Sequence, residues 1–385
     1  MKSEKVRNIS YWFLFIIGLV IYTRLAILFI SNNLLPIKMR LMALLIGLAI
    51  YVLLGLALLN LNRYPKTQLG LAMFMLAIIV LLSVGHWYIA KAVNTINEMN
   101  QESERREAGS AIASEKDNLD YLEANISSDG SFNILISGID TDGSLNNISR
   151  SDVNVILTVN PDKKQILMTS LPRDTYMPIA RGGQEQMDKL THSGLYGIGS
   201  TVESVENFLS IDINYYVRVN FRSLITIVNA LGGIHVDNPQ EFSTSSGKYF
   251  AKGNIYLNGE DALTFSRERK NLSSGDVGRG QNQMRVIEGM IKKALTPSIL
   301  LNYGNIMNIA SKSLQTNMPT AAIIDLVNHQ IENNTAWQMS NMTLDGEHSM
   351  SHPSFAIPNQ QLYMYIPNQE SINHINSRIS TVLAN

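Results

Sequence analysis

Residues 132–175 open as Phe132-Asn-Ile-Leu-Ile-Ser-Gly-Ile-Asp140, cross a loop rich in Gly, Ser and Asn, and resume at Arg150-Ser-Asp152-Val-Asn-Val-Ile-Leu-Thr-Val159. After Pro161-Asp162 they end in Gln165-Ile-Leu-Met-Thr-Ser170 and Leu171-Pro-Arg173-Asp174-Thr175. Three short apolar, β-branched runs bounded by turn residues read as three strands, at 133–136, 153–159 and 165–170. Asp140, Asp152 and Arg173 then stand at loop ends beside strands, where sites on α/β sheets are usually built.

Outward from this stretch, helical and strand patterns alternate. Thr201–Leu209 reads as helix and Tyr215–Val219 as strand. Phe221–Leu231 reads as a helix closed by Gly232-Gly233, a residue type that ends helices in a left-handed conformation. Ile234–Val236 is a further strand and Glu260–Leu263 a short helix, with a helical pattern at 321–331 and a strand near 363–366. Such alternation specifies a layered α/β domain with helices on both faces of a sheet.

Three arginines recur in Phe265-Ser-Arg267-Glu-Arg269-Lys-Asn-Leu-Ser-Ser-Gly-Asp276-Val-Gly-Arg279-Gly-Gln-Asn-Gln283. If this begins as a strand, Arg267 and Arg269 project from one face. Neighbouring guanidiniums invite a shared anion, and their rigid forks of donors fit phosphate oxygens in pairs. The loop from 271 to 278 then enters a helix over 281–295, with Met284, Ile287, Met290 and Ile291 at helical spacing. Arg279 and Gln283 share a face at its start, where free N–H groups also favour an anion. The alternative is a solvated surface on which Glu268 and Asp276 pair with these arginines.

Asp140 and Asp152 are the candidate hard-cation ligands, since Mg²⁺ on phosphates uses only one or two protein carboxylates. Their alternative is structural, a turn residue and a strand opener. In Asp188-Lys189-Leu-Thr-His192, the histidine suits a proton carrier or an ordinary polar site, with no partner visible in sequence. The Met residues and the Tyr215-Tyr216 pair with Phe221 fill a core or line an apolar groove. No zinc-ligand spacing, Walker loop, nucleophile elbow or dinucleotide fingerprint is present, which removes several enzyme classes.

The chain has 385 residues, 45% hydrophobic, with net charge −1 and no cysteine. That balance gives no sign of a nucleic-acid polyelectrolyte. Residues 9–30, 39–61 and 69–90 are three apolar runs of about 20 residues, enough to cross ~30 Å of hydrocarbon as helices. Lys2, Lys5, Arg7, Arg63 and Lys66 against Lys38, Arg40 and Lys91 place the N-terminus in the cytoplasm by the positive-inside rule. The large C-terminal domain, 132–385, is then extracytoplasmic, beyond a stalk or linker at 91–131. The lack of cysteine fits that location without a disulfide framework.

The ordered motifs Asn133–Asp140, Arg150-Ser-Asp152, Ser170–Thr175, Asn214–Phe221, Leu231-Gly-Gly-Ile234 and Leu257-Asn-Gly-Glu-Asp-Ala-Leu-Thr-Phe-Ser-Arg-Glu-Arg269 resemble the LytR-CpsA-Psr family. The three-span layout is similar to its capsule-locus members, CpsA or Wzg, in a short version without their usual accessory domain. The resemblance implies a three-layer α-β-α domain around a mixed sheet. It also implies a Mg²⁺-dependent phosphotransferase that moves a glycopolymer, such as capsular polysaccharide, from a polyprenyl-pyrophosphate carrier to a peptidoglycan hydroxyl. Asp140 and Asp152 match its metal-binding aspartates. Arg173, Arg267, Arg269, Arg279 and Gln283 match its pyrophosphate-binding positions, and Asp276 an acidic residue of the same site. Asp140 is the group best suited to help the acceptor hydroxyl lose its proton. At Asn282 the chain departs from the family, which often carries Arg there. An apolar tunnel for the lipid gives the Met and aromatic residues a second role. The other functions the resemblance allows are regulation of capsule synthesis through biosynthetic partner proteins, and hydrolysis of the same lipid-linked glycan. Against DNA binding, the domain has no helix-turn-helix with clustered basic residues.

Overall fold

The computed structural model describes residues 130–384 apart from 142, 146, 273–274, 297–298, 300–305, 307–308, 311, 320–321, 324–325, 328 and 331–335. It also describes a helix at 37–60 and scattered helical residues between 15 and 80. Two compact units are present, Met1–Thr95 with Ala321–Asn333, and Ile96–Thr320 with Asn334–Asn385.

In the first unit, α1 (Ile37–Asn60) is apolar from Leu41 onward. Phe15 stacks on Tyr51 with ring centroids 5.6 Å apart. The Tyr22 hydroxyl donates to the Leu44 carbonyl. A Cβ on Gly55 would lie 2.1 Å from the Phe15 ring, so glycine permits this close approach. Several side chains of α1 fall outside the described residues, and among those described no helix is both long and apolar enough to cross a membrane. Most of 9–30 and 69–90, and nearly all of 91–131, lie outside the described residues.

The second unit is built on a six-stranded sheet. Its first strands are β1 (Phe132–Ile139), β2 (Ser151–Asn160) and β3 (Gln165–Ser170), joined as an antiparallel meander. The hairpin β4 (Tyr176–Ile179) and β5 (Gln186–Lys189) follows, then α2 (Leu190–Ser193) and α3 (Ile198–Leu209). β6 (Tyr215–Val219) returns parallel to β1, and α4 (Phe221–Ala230) leads to β7 (Ile234–Asn238). Beyond the short pair β8 (Phe242–Ser243) and β9 (Tyr249–Phe250), β10 (Gly253–Leu257) pairs with β7 and precedes α5 (Gly259–Arg267) and α6 (Gly275–Ala294). The chain closes with β11 (Gln315–Thr316), β12 (Gln338–Thr343), the hairpin β13 (Gly346–Pro353) and β14 (Gln361–Pro367), and α7 (Gln369–Leu383).

Strand order is β11-β6-β1-β2-β3-β12, and parallel pairs β1–β6 and β3–β12 make the sheet mixed. Alternation along the strands feeds two layers. Leu135, Ile156, Leu167 and Tyr216 pack on Val202 and Val205 of α3 and Ile375 and Ile379 of α7. On the other face stand Ile136, Val153 and Val217, opposite α4 and α6. A second core joins α4, β7, α5 and α6 through a Phe242, Phe250 and Phe265 cluster.

Candidate active site

The strand expected to carry Arg267 and Arg269 is a helix end. Asn258 caps α5 by accepting from the Asp261 N–H, and Ala262 and Phe265, three apart, form its buried face. Arg267 is the last helical residue, and the chain turns extended at Glu268. Glu268 does not pair with either arginine. It is buried and accepts from the backbone N–H groups of Arg269, Asn271 and Ser245 at 2.9, 3.0 and 3.3 Å. α6 likewise starts at Gly275, six residues before the sequence expectation. Asp276 therefore sits in its first turn, where the helix dipole favours a carboxylate, and pairs with Arg279 at 2.6 Å and Arg269 at 4.0 Å.

On the sheet side, β1 pairs with β2 through a register shift at Gly138/Ile139, a bulge at the point where Asp140 leaves the sheet. Gly138 is required there, because an added Cβ would lie 2.8 Å from that of Val153. At the end of β3, Thr175 closes the turn on the Pro172 carbonyl through both its N–H and its hydroxyl. This presents Arg173, whose Nη1 donates to Asp152 Oδ2 at 2.8 Å, while Thr191 Oγ1 donates to Oδ1 at 2.8 Å. Asp174 is taken by Lys189 at 2.7 Å.

Six of the eight expected residues line one cavity of about 430 Å³: Asp140, Asp152, Arg173, Arg267, Arg279 and Gln283. The rest of the wall is apolar, from Ile136, Val217 and Val219 of the sheet, Leu224 and Ile227 of α4, and Val286, Ile287 and Met290 of α6. A volume in this range suits an organic ligand held by apolar contact and oriented by a few polar groups. Asp276 and Arg269 stand outside this cavity, along a neighbouring groove with Arg173. Asn282, where the family often has Arg, is buried and donates to the Phe265 carbonyl, facing away from the cavity lining.

The arginines are poised for a further anion. Burial works against the Arg173 cation, but Asp152, Asp174 and Asp276 outweigh it and hold its pKa above the ordinary value. Its buried Nε has no hydrogen-bond partner, with Asp174 Oδ2 3.6 Å away. Burial pushes the Arg279 guanidinium down, and Arg173 and Arg269 push in the same direction against the relief from Asp276. An anion placed between them relieves that repulsion. Arg267 makes no ion pair with any described carboxylate and lies over the Phe221 ring at 4.2 Å. Sequence reasoning missed this cation–π contact, Thr191, and the β13–β14 residues His348 and Tyr363 beside Arg173. The buried His192 on α2 has its partner in Asp188 of β5, 2.8 Å away, and neither lines the cavity.

Fold and site define a class, an α/β protein whose apolar cavity between sheet and helices is closed by a cluster of arginines and carboxylates. The chain belongs to the LytR_cpsA_psr family, whose model matches residues 87–381. It is 36% identical over 234 residues to a polyisoprenyl-teichoic acid–peptidoglycan teichoic acid transferase TagU of Bacillus anthracis, covering 60% of this chain and 72% of that one. Among solved structures, B. subtilis TagV is 28% identical with a TM-score of 0.56, covering 66% of this chain and 97% of that chain. TagT bound to LI-WTA is 26% identical with a TM-score of 0.51, covering 66% of this chain and 90% of that chain.

Proposed function

We propose that this chain is a membrane-anchored phosphotransferase that moves a glycopolymer from a polyprenyl diphosphate carrier to a peptidoglycan hydroxyl. The observation that carries the reading is the apolar cavity closed by Asp140, Asp152, Arg173, Arg267, Arg279 and Gln283. A polyprenyl tail has nothing to offer but apolar surface, and its diphosphate is a dense anion. The wall takes the first and the arginine forks the second. The TagU relative is named for transfer of the same kind, and capsular polysaccharide is the polymer proposed here.

Breaking the diphosphate leaves charge on the departing polyprenyl phosphate. Preorganised guanidiniums that face this charge in a dry site lower the barrier most, and the transfer asks little covalent work of the protein. Arg173, held charged by its three carboxylates, and Arg279 are the central pair. Arg269 reaches the same anion from the groove.

The site also fits Mg²⁺. Asp140 is exposed at the cavity mouth, and each Asp152 oxygen accepts one hydrogen bond and keeps lone pairs free. Two carboxylates suffice for a cation that takes its remaining ligands from phosphate and water. Asp140 and Asp152 would hold it, and when bound it would neutralise diphosphate charge.

Filling the cavity tests the reading. Ile287→Trp, which adds bulk to the wall, is expected to weaken binding of a full-length polyprenyl diphosphate at least tenfold and to slow transfer from a lipid-linked oligosaccharide equally. Unchanged binding and transfer would remove the cavity from the function. In the same assay a chelator tests the cation, and following labelled glycan onto peptidoglycan or into solution separates transferase from hydrolase.

The three apolar runs anchor this domain outside the cell, with the N-terminus in the cytoplasm. Reporters fused at Asn33 and Asn385 are expected to report the external side, and one at Pro65 the cytoplasm. A cytoplasmic Asn385 would contradict the arrangement.

A further inference from the structure

The four side chains Asp152, Arg173, Arg279 and Gln283 line two spaces, not one. The apolar cavity lies over β6, β1 and β2. The second space, a cleft at the ends of β3 and β12, is closed by His348, Tyr363 and Tyr365 of the β13–β14 hairpin. Since the sheet runs β6-β1-β2-β3-β12, cavity and cleft flank the arginines from opposite directions. The cleft continues through Arg173, Asp174, Asp276 and Tyr363 into an open groove of about 610 Å³ that adds Lys189, Arg269 and Lys270.

The cleft itself holds only about 30 Å³, so a ligand larger than water has room in the groove, whose wall carries Tyr363 with His348 stacked on it. His348 and Tyr363 stack with centroids 5.8 Å apart and share a hydrogen bond, and His348 meets the Tyr365 ring edge-on at 5.5 Å. Lys189 lies 5.4 Å from the Tyr363 ring while paired with Asp174. On the groove, the Tyr363 ring beside Lys189 and Asp174 offers an aromatic surface next to fixed charged donors and acceptors, which suits a ligand with one apolar face and a hydroxyl-bearing edge, as in a pyranose ring. The exposed Lys270 adds positive charge for an acidic substituent.

We propose that this groove is the subsite for the acceptor sugar, a pyranose of the peptidoglycan glycan strand. The inference rests on the diphosphate reading above and follows from the direction of displacement. The acceptor hydroxyl oxygen bonds to the sugar-bearing phosphorus, the bond from that phosphorus to the bridging oxygen breaks, and polyprenyl phosphate leaves with the electron pair. Attacking and leaving oxygens lie roughly in line. With the lipid leaving toward the apolar cavity, the hydroxyl arrives from the groove, and its proton passes to the water there. Asp140, on the cavity side, would then hold the cation and not take the proton of the attacking hydroxyl.

The test uses the full chain in detergent, with His348→Ala and Tyr363→Ala as separate variants. Three equilibrium affinities are measured: a sugar-free polyprenyl diphosphate, the same lipid bearing a disaccharide, and a soluble peptidoglycan glycan oligomer. Transfer kinetics follow. The expected result is oligomer affinity and acceptor KM at least tenfold worse, with kcat changed less and sugar-free lipid binding within twofold of wild type. Retained lipid binding shows that each variant is folded, and the exposed His348 carries the test should Tyr363→Ala lose it. Unchanged oligomer affinity overturns the proposal. Loss confined to the disaccharide-bearing lipid overturns it too, by giving the groove to the donor's own sugar. A wild type that binds the oligomer but transfers nothing defeats the transferase reading alone, because oligomer binding is read without turnover.

Discussion

Arg279→Ala is expected to lower glycopolymer transfer roughly 10²–10³-fold, the usual cost of deleting one preorganised donor that faces developing charge. Arg279 lines both the apolar cavity and the cleft, and its cation is disfavoured by burial and by its neighbours Arg173 and Arg269. A bound diphosphate would offset that burial and repulsion. Arg279→Lys keeps the charge and loses the planar fork, and an intermediate rate is expected. Removing Arg279 takes repulsion away from its neighbours but also removes its 2.6 Å pair with Asp276, so a modest loss of folding stability should accompany the collapse in activity. The assay is transfer of a labelled lipid-linked oligosaccharide to peptidoglycan, with thermal melting as its companion. A rate for Arg279→Ala within threefold of wild type would falsify the assignment of this site.

The second large effect is on stability. Asp188→Ala is expected to cost about 3–5 kcal/mol, the range seen when one partner of a buried charged network is removed. Asp188 is 1% exposed. It accepts from His192 Nδ1, Ser354 Oγ and the N–H groups of Lys189 and Ala356, joining β5 and α2 to the chain that follows β13. Alanine strands all of these buried donors at once. Burial pushes the Asp188 carboxyl up, but the His192 hydrogen bond and the Ala356 and Lys189 N–H groups outweigh it and hold the pKa below the ordinary value. The folded protein thus keeps this group ionised to lower pH than the unfolded chain does. Its contribution is complete above the ordinary carboxylate range, about pH 4, and is lost as pH falls through the lowered folded value. Denaturant midpoints measured from neutral pH downward should show wild type losing this increment on acidification, and Asp188→Asn lacking it throughout. Parallel pH profiles for the two proteins would exclude the network as a source of acid sensitivity.

Much of the domain is legible in the residue pattern alone. The strands at 165–170 and 215–219 fall where that pattern puts them, and α4 lies within one residue, because β-branched runs between turn residues and a 3.6-residue apolar period are local signals. Six of the eight candidate residues line one cavity, Asp140, Asp152 and Arg173 reaching it from strand ends and Arg267, Arg279 and Gln283 from α5 and α6. The errors sit where local signals conflict. Phe265-Ser-Arg267-Glu-Arg269 alternates like a strand, yet Ala262 and Phe265 are buried from one helical face, so packing in the aromatic core settles the element as helix. The Ser/Gly loop before Arg279 is shorter than its composition implies, since Asp276 and Arg279 support the first turns of α6 through their own pairing.

By itself the sequence determined the α/β class, the strands β1, β2, β3, β6 and β7 and the helices between and after them, because each depends on side chains close together along the chain. Only the tertiary structure decided that Glu268 is a buried cap and not an arginine partner, that Asp188 satisfies His192, and that His348 and Tyr363 reach Arg173 from a distant part of the chain. Those are contacts fixed by how sheet, helices and the last hairpin pack, and no spacing along the chain encodes them.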